Sequence, residues 1–278
     1  MSTTPTLPTV TLNNGHQMPQ LGFGVFQVPD AETTTAVASA LDAGYRSIDT
    51  ASVYGNEAGV GRAIADSGIP RGDLFVTTKI WNSDQGYDAA LAAYDASLAK
   101  LGLDYADLYL IHWPAPALGL YAETWRALER LLAEGRVRAI GVSNFEPEHL
   151  EALARNSDVV PAVNQIELHP ALQQASVRAA NAARGIATQA WSPLAQGGVL
   201  GDPAIAAIAA RHGRSPAQVV LRWHLQQGRI AIPKSVTPSR IRENLDVFGF
   251  ELDASELAAV DALDRGGRTG PDPRTFNG

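Results

Sequence analysis

Asp49, Lys79 and His112 each close a short apolar run, in RSID, LFVTTK and ADLYLIH, and Tyr54 follows Asp49 closely enough to join them from the next loop. A phenol with an ordinary pKa near ~10 is protonated at neutral pH, so Tyr54 suits a proton donor to a carbonyl oxygen. A Lys79 ammonium beside it would favour the phenolate and lower that pKa. Asp49 would hold Lys79 in place, since at ~4 Å and an effective dielectric near 20 such a pair gains roughly 4 kcal/mol of gross attraction. A neutral His112 imidazole could donate a hydrogen bond to the same oxygen and orient it. Each residue alone has a plainer reading: a strand-end ion pair, a core histidine beside Trp113, a turn residue before Gly55. Together at the ends of successive runs they read as one site.

Such convergence needs parallel strands with their carboxyl ends side by side. The chain supplies eight strand candidates, LGFG, RSID, LFVTTK, ADLYLIH, RAIGVS, PAVNQIEL, IATQAWS and IAIPKS. Helical patterns over 31–43, 57–67, 89–101, 122–133, 147–155, 174–183, 204–211, 216–226 and 239–247 separate and follow them. Glycines 44, 68, 102, 135, 185 and 228 stand where helices should stop. Strand-then-helix units imply a parallel sheet, and eight of them without a composition break favour one closed (β/α)8 TIM barrel, of the α/β class, over residues 1–278. VTLNNGHQMP reads as an N-terminal β-hairpin that covers something, and a further helix over 255–263 with a Gly- and Pro-rich tail falls outside the eightfold scheme. GFGVFQ and GVGRAI do not form the glycine fingerprint of a doubly wound nucleotide-binding sheet, so any dinucleotide must be held another way.

With 278 residues and 45% apolar content the chain can bury a large core. Its net charge of -7 is spread without a basic stripe, which argues against nucleic acid as a partner. The absence of cysteine excludes disulfides, thiolate metal sites and a cysteine nucleophile. No His/Asp/Glu group shows metal-ligand spacing. Without a leader pattern at the N-terminus or an apolar run of membrane-span length, the expectation is a soluble cytoplasmic protein. Without an obvious exposed apolar seam, the expectation is a monomer.

The segments DTASVYGNE, TTKIW, LDYADLYLIHWP, GVSNF, NQIELHP, WSPLAQG and IPKSVTPSRIRENL resemble, in order and spacing, the signatures of the aldo-keto reductase superfamily. Within it, GVFQVP, KIWN, NQIELHP and the WSP beginning at Trp191 look most like bacterial 2,5-diketo-D-gluconate reductases. The resemblance implies a barrel with the hairpin across its bottom, and NADPH-dependent reduction of aldehydes or ketones, diketogluconate and methylglyoxal among them. It implies that Tyr54 gives its proton to the carbonyl oxygen, that Lys79 and Asp49 tune it, and that His112 positions the substrate.

The resemblance also implies the cofactor contacts. Trp191 would stack on the nicotinamide, while Ser143, Asn144 and Gln165 hydrogen-bond its carboxamide. Ser192 and Leu194 would line the pyrophosphate path. Lys234, Ser235 and Arg240 match the ribose 2′-phosphate site, with Glu243 and Asn244 at the adenine; two cations there favour NADPH over NADH. Phe26, Trp81 and Trp113 match the aromatic walls of the substrate pocket. Met18, Trp125 and Trp223 read as packing, and His16, His149, His169, His212 and His224 as non-catalytic.

Two rival functions remain open at this level. A Schiff-base lyase would use Lys79 as nucleophile, but a charged Asp49 beside it would keep the amine protonated. An NADPH-binding regulatory or structural relative with little turnover could keep all four residues.

Overall fold

The structure is a computed structural model that describes residues 7–278; the reading of the first six residues lies outside them. Two short antiparallel strands, β1 (Thr9–Thr11) and β2 (Gln17–Pro19), form the expected hairpin. Eight parallel strands follow: β3 (Phe23–Gly24), β4 (Ser47–Asp49), β5 (Phe75–Ile80), β6 (Ala106–Ile111), β7 (Val137–Ser143), β8 (Val163–Glu167), β9 (Ala187–Trp191) and β10 (Ile230–Ala231). They pair in chain order from β3 to β10. The first edge meets the last through a parallel bridge between Leu21 and Ala231, with Gly22 N donating to Ala231 O at 2.9 Å and Gly24 N to Pro233 O at 3.1 Å. These bonds close the sheet into a (β/α)8 barrel.

Every residue of β5 and β6 is buried, which is why both read as unbroken apolar runs rather than alternating ones: one face looks into the barrel and the other meets helices. The run IAIPKS yields only a two-residue strand, because Pro233 has no N–H to extend the ladder. LFVTTK runs one residue further than expected, to Ile80, so Lys79 lies inside β5 rather than at its end.

Helices α1 (Asp30–Ala43), α2 (Glu57–Asp66), α3 (Tyr87–Leu101), α4 (Tyr121–Ala133), α5 (Pro147–Ala154) and α6 (Ala175–Ala183) each follow a strand. Helices α7 (Pro203–His212) and α8 (Pro216–Gln226) precede β10, and α9 (Pro238–Leu245) and α10 (Ala254–Asp261) follow it. Gly44 and Gly102 end α1 and α3 in the left-handed region, at φ 115° and 63°, where a side chain would be strained.

The hairpin closes the bottom of the barrel. Leu12 and Met18 are buried against Phe75, Leu108, Val163 and Ile230, and Asn13 and Asn14 donate to the carbonyls of Pro161 and Arg138 at 3.0 Å. The opposite, carboxyl end of the strands is therefore the open one. Side chains two apart on a strand share a face, so Ser47 and Asp49, Thr77 and Lys79, and Gln189 and Trp191 form pairs on one face, while Ile48 and Val76 pack outward into the helical layer.

Candidate active site

Asp49 is the last residue of β4, and the chain then makes a 3-10 turn, Ser52–Tyr54, that the sequence reading did not anticipate. Tyr54 N donates to Ala51 O at 3.0 Å, Ser52 Oγ bonds Lys79 O at 3.0 Å, and Gly55, at φ 68°, turns the chain into α2. Asn56 locks the neighbouring loop: its Nδ2 donates to Val25 O and Val28 O, both at 2.9 Å, and its Oδ1 accepts from Thr50 Oγ1 at 2.8 Å. This turn delivers the phenol over the barrel mouth.

Lys79 is fully buried, and its Nζ donates to Asp49 Oδ1 at 2.5 Å and Thr50 O at 2.9 Å, with Tyr54 Oη at 3.4 Å. The His112 ring stands edge-on to Tyr54, with centroids 5.6 Å apart, and to Trp81 at 5.2 Å. Asp49, Tyr54, Lys79 and His112 thus converge.

Burial works against the Lys79 ammonium, but Asp49 and Tyr54 outweigh it and hold its pKa above the ordinary value. Burial, helped by the Lys79 charge, keeps His112 well below 6.5 and hence neutral at physiological pH. The expectation for Tyr54 is corrected. Its pKa lies above 10, not below, because burial of the phenol outweighs the attraction of Lys79 for the phenolate.

A cavity of about 720 Å³ opens beside Tyr54 and runs past β9 to α9. Its near end is lined by Phe26, Asp49, Tyr54, His112 and Trp113, and Lys79 lies behind this wall. Trp81 does not line the cavity; it packs against His112 and against Phe276 of the tail. Ser143, Asn144, Gln165, Trp191, Ser192 and Leu194 line the middle, and Lys234, Ser235, Arg240, Glu243 and Asn244 the far end. Among the described residues neither Lys234 nor Arg240 pairs with a carboxylate, so both cations are free to meet an anion there.

The middle of the cavity is rigidly cross-linked. Trp191 Nε1 donates to Asn144 Oδ1 at 2.8 Å, and Asn144 Nδ2 donates to His112 O at 3.0 Å and Ser143 Oγ at 3.1 Å. Asn144 and Ser192 hold left-handed backbone, at φ 63° and 47°, which for residues other than glycine marks a locally constrained site.

Several residues at the cavity carried no specific role in the sequence reading, although the tail around Pro271 to Phe276 was expected to border the entrance. Gln27, Gln196, Leu200 and Ser215 line the cavity, and Phe276 packs on Trp113 with ring centroids 4.6 Å apart. The tail bearing Phe276 is tied to the end of β8. Glu167 Oε1 accepts from Thr269 N at 2.5 Å and Thr269 Oγ1 at 2.6 Å, and its Oε2 from Gly270 N at 3.0 Å. The remaining histidines stand outside the cavity wall: His149 caps α5, His169 bonds Glu167, His212 bonds Glu256 and His224 Nε2 lies 3.2 Å from Pro193 O.

The sequence profile of the aldo/keto reductase family matches residues 18–265. The chain belongs to the aldo/keto reductase family. An aldo-keto reductase of Mycolicibacterium smegmatis is 58% identical over 270 residues, covering 97% of this chain and 98% of the relative. Glyoxal reductase of Bacillus subtilis is 51% identical, covering 95% and 96%. A crystal structure of a Gox0644 variant in complex with NADPH is 51% identical, covers 98% of this chain and 99% of its own, and superposes with a TM-score of 0.94. The reductase is accordingly an enzyme of carbonyl reduction. Among the described residues of this reductase no helix is long and apolar enough to cross a membrane.

Proposed function

We propose that the reductase uses NADPH to reduce small aldehydes and ketones to alcohols, with Tyr54 as proton donor. When bound, the dinucleotide supplies hydride from nicotinamide C4 to the carbonyl carbon. The observation that carries the reading is the Lys79 ammonium, bonded to Asp49 and 3.4 Å from the Tyr54 hydroxyl, at one end of a cavity whose other end presents Lys234 and Arg240.

The raised pKa of Tyr54 keeps the phenol protonated through neutral and mildly alkaline pH, as a donor must be. As its proton leaves for the substrate oxygen, negative charge grows next to Lys79 in a water-poor pocket, where the attraction is least screened. Asp49 keeps Lys79 charged and aimed. Neutral His112 offers a hydrogen bond to the carbonyl oxygen without repelling Lys79. Oxidation of alcohols follows the same path in reverse, with Tyr54 as base.

Trp191 provides an aromatic face for the nicotinamide, and Ser143, Asn144 and Gln165 surround its carboxamide. Ser192 and Leu194 border the pyrophosphate path. Lys234, Ser235 and Arg240 take the 2′-phosphate, the guanidinium by planar pairing and the ammonium as a point charge. Glu243 and Asn244 contact the adenine. Phe26 and Trp113 wall the substrate, with Trp81 and Phe276 behind them; the name of the B. subtilis relative, glyoxal reductase, speaks for small dicarbonyls.

Tyr54→Phe tests the reading. NADPH consumption with a generic aldehyde should fall at least about a thousandfold, while NADPH affinity changes little, because the phenol acts at the transition state. Turnover surviving in Tyr54→Phe would remove Tyr54 from the chemistry.

A further inference from the structure

The barrel interior holds a chain of side chains that continues beyond Asp49. Asp49 spends Oδ1 on Lys79 and accepts at Oδ2 from Gln165 Nε2, at 2.7 Å. The same Gln165 Nε2 donates its second proton to Gln189 Oε1, at 2.8 Å. Gln189 has no solvent exposure and lies two residues before Trp191 on β9, opposite Gln165 in the strand register.

An amide nitrogen has two protons, and both are now placed. What Gln165 has left for the cavity it lines is its carbonyl oxygen, an acceptor only. Asn144 beside it has both amide protons committed to His112 O and Ser143 Oγ.

We infer that Gln189 is a positioning residue that, together with Asp49, locks the Gln165 amide with its oxygen toward the nicotinamide carboxamide, so that the site accepts a hydrogen bond from the carboxamide NH₂. This rests on the NADPH reading above and deepens it. The same two bonds make one rigid unit of the residues that place the nicotinamide and those that hold the Lys79 charge. Asp49 alone offers Gln165 a single tether about which the amide can swing; Gln189 supplies the second.

The test compares NADPH with its reduced 3-acetylpyridine analogue, in which a methyl ketone replaces the carboxamide and the amine donor is lost. Both are titrated by quenching of tryptophan fluorescence, without turnover. The wild type should bind NADPH about tenfold tighter than the analogue, the worth of one hydrogen bond at a buried acceptor. Gln189→Met keeps the side-chain length but offers no acceptor oxygen, and should bring the two affinities within about threefold. Gln189→Glu keeps an oxygen at that place and should retain the wild-type ratio. A loss of general stability alone would weaken both ligands together and leave the ratio unmoved.

A wild-type ratio preserved in Gln189→Met overturns the inference, and so does equal binding of both ligands by the wild type, a result that needs no variant to fold. Failure of the wild type to bind NADPH at all would instead overturn the cofactor reading on which the inference stands.

Discussion

Gly270 lies against the indole edge of Trp191, so closely that a β-carbon at position 270 would stand 2.5 Å from Trp191 Cη2. The tail reaches this ring because Glu167, at the end of β8 and paired in register with Trp191, binds the backbone N–H groups of Thr269 and Gly270. Burial opposes the Glu167 charge, but its bonds to His169, Thr269 and Gly270 outweigh that and hold its pKa below the ordinary value, so the clasp is ionised at neutral pH. Gly270→Val must displace either the tail or the indole. The expected outcome is NADPH affinity weakened about tenfold, near 1.4 kcal/mol, with the far-end contacts intact. Fluorescence titration measures it, and unchanged affinity would show that the tail gives way and the indole keeps its place.

Asp49, Lys79 and His112 were legible because a parallel strand buried on both faces is mostly apolar, so a titratable group in or just after its last two positions stands out. Regular βα alternation made the barrel readable for the same reason. Tyr54 could be placed near them but not on its 3-10 turn, since that turn depends on Asn56 reaching back to Val25 and Val28, about thirty residues away in sequence. The direction of the Tyr54 pKa depends on how deeply the ring is buried, which no local pattern encodes. Phe276 belongs to a Gly- and Pro-rich tail without periodicity, and its position follows from the Glu167 clasp. Trp81 illustrates the converse: the family resemblance implied a pocket wall, yet its ring turns to His112 and Phe276.

On the proposed reading, Arg240 and Lys234 decide coenzyme choice. Both are exposed at the far end of the cavity and have no carboxylate to neutralise them, so a 2′-phosphate gains their full attraction while a 2′-hydroxyl gains little. Arg240→Ala should raise the KM for NADPH by more than about tenfold, with little change for NADH. Steady-state kinetics with the two coenzymes distinguishes this from a general loss of binding, in which both constants rise together.

Asn56 bears on stability. It is fully buried, and truncation to alanine leaves the hydroxyl of Thr50 without its partner and takes one of two hydrogen bonds from each of the carbonyls of Val25 and Val28, which keep Val28 N and Thr33 Oγ1. One orphaned buried hydroxyl costs about 1–3 kcal/mol and each of the two lost hydrogen bonds about 1 kcal/mol before relaxation, so Asn56→Ala should destabilise by about 2–4 kcal/mol. For a chain of this size that lowers Tm by roughly 5–12 °C. The loop that carries Phe26 is released as well, so KM for aldehydes should rise even where the protein remains folded. A thermal melt with Tm unchanged would count against this account of the loop.

His224 and His112 set the acid limit of stability. Both are held well below 6.5, by burial first, then by Arg229 for His224 and by Lys79 for His112. A folded pKa below the unfolded one means that the unfolded chain takes up protons that the native chain refuses as pH falls. The stabilisation is therefore complete above about pH 6.5 and is lost progressively as pH falls toward the folded values. The opposite sign holds for Tyr54 and Lys79, whose raised folded values make their contribution present below the ordinary ones and lost only as strongly alkaline pH is reached. Tm should thus be level from about pH 7 to 9 and decline below about 6.5. His224→Gln can still donate a hydrogen bond to Pro193 O but cannot take up a proton, so part of the acid decline should disappear in it while Tm at pH 8 is nearly kept. An acid limb of undiminished slope in His224→Gln would assign the decline to other groups.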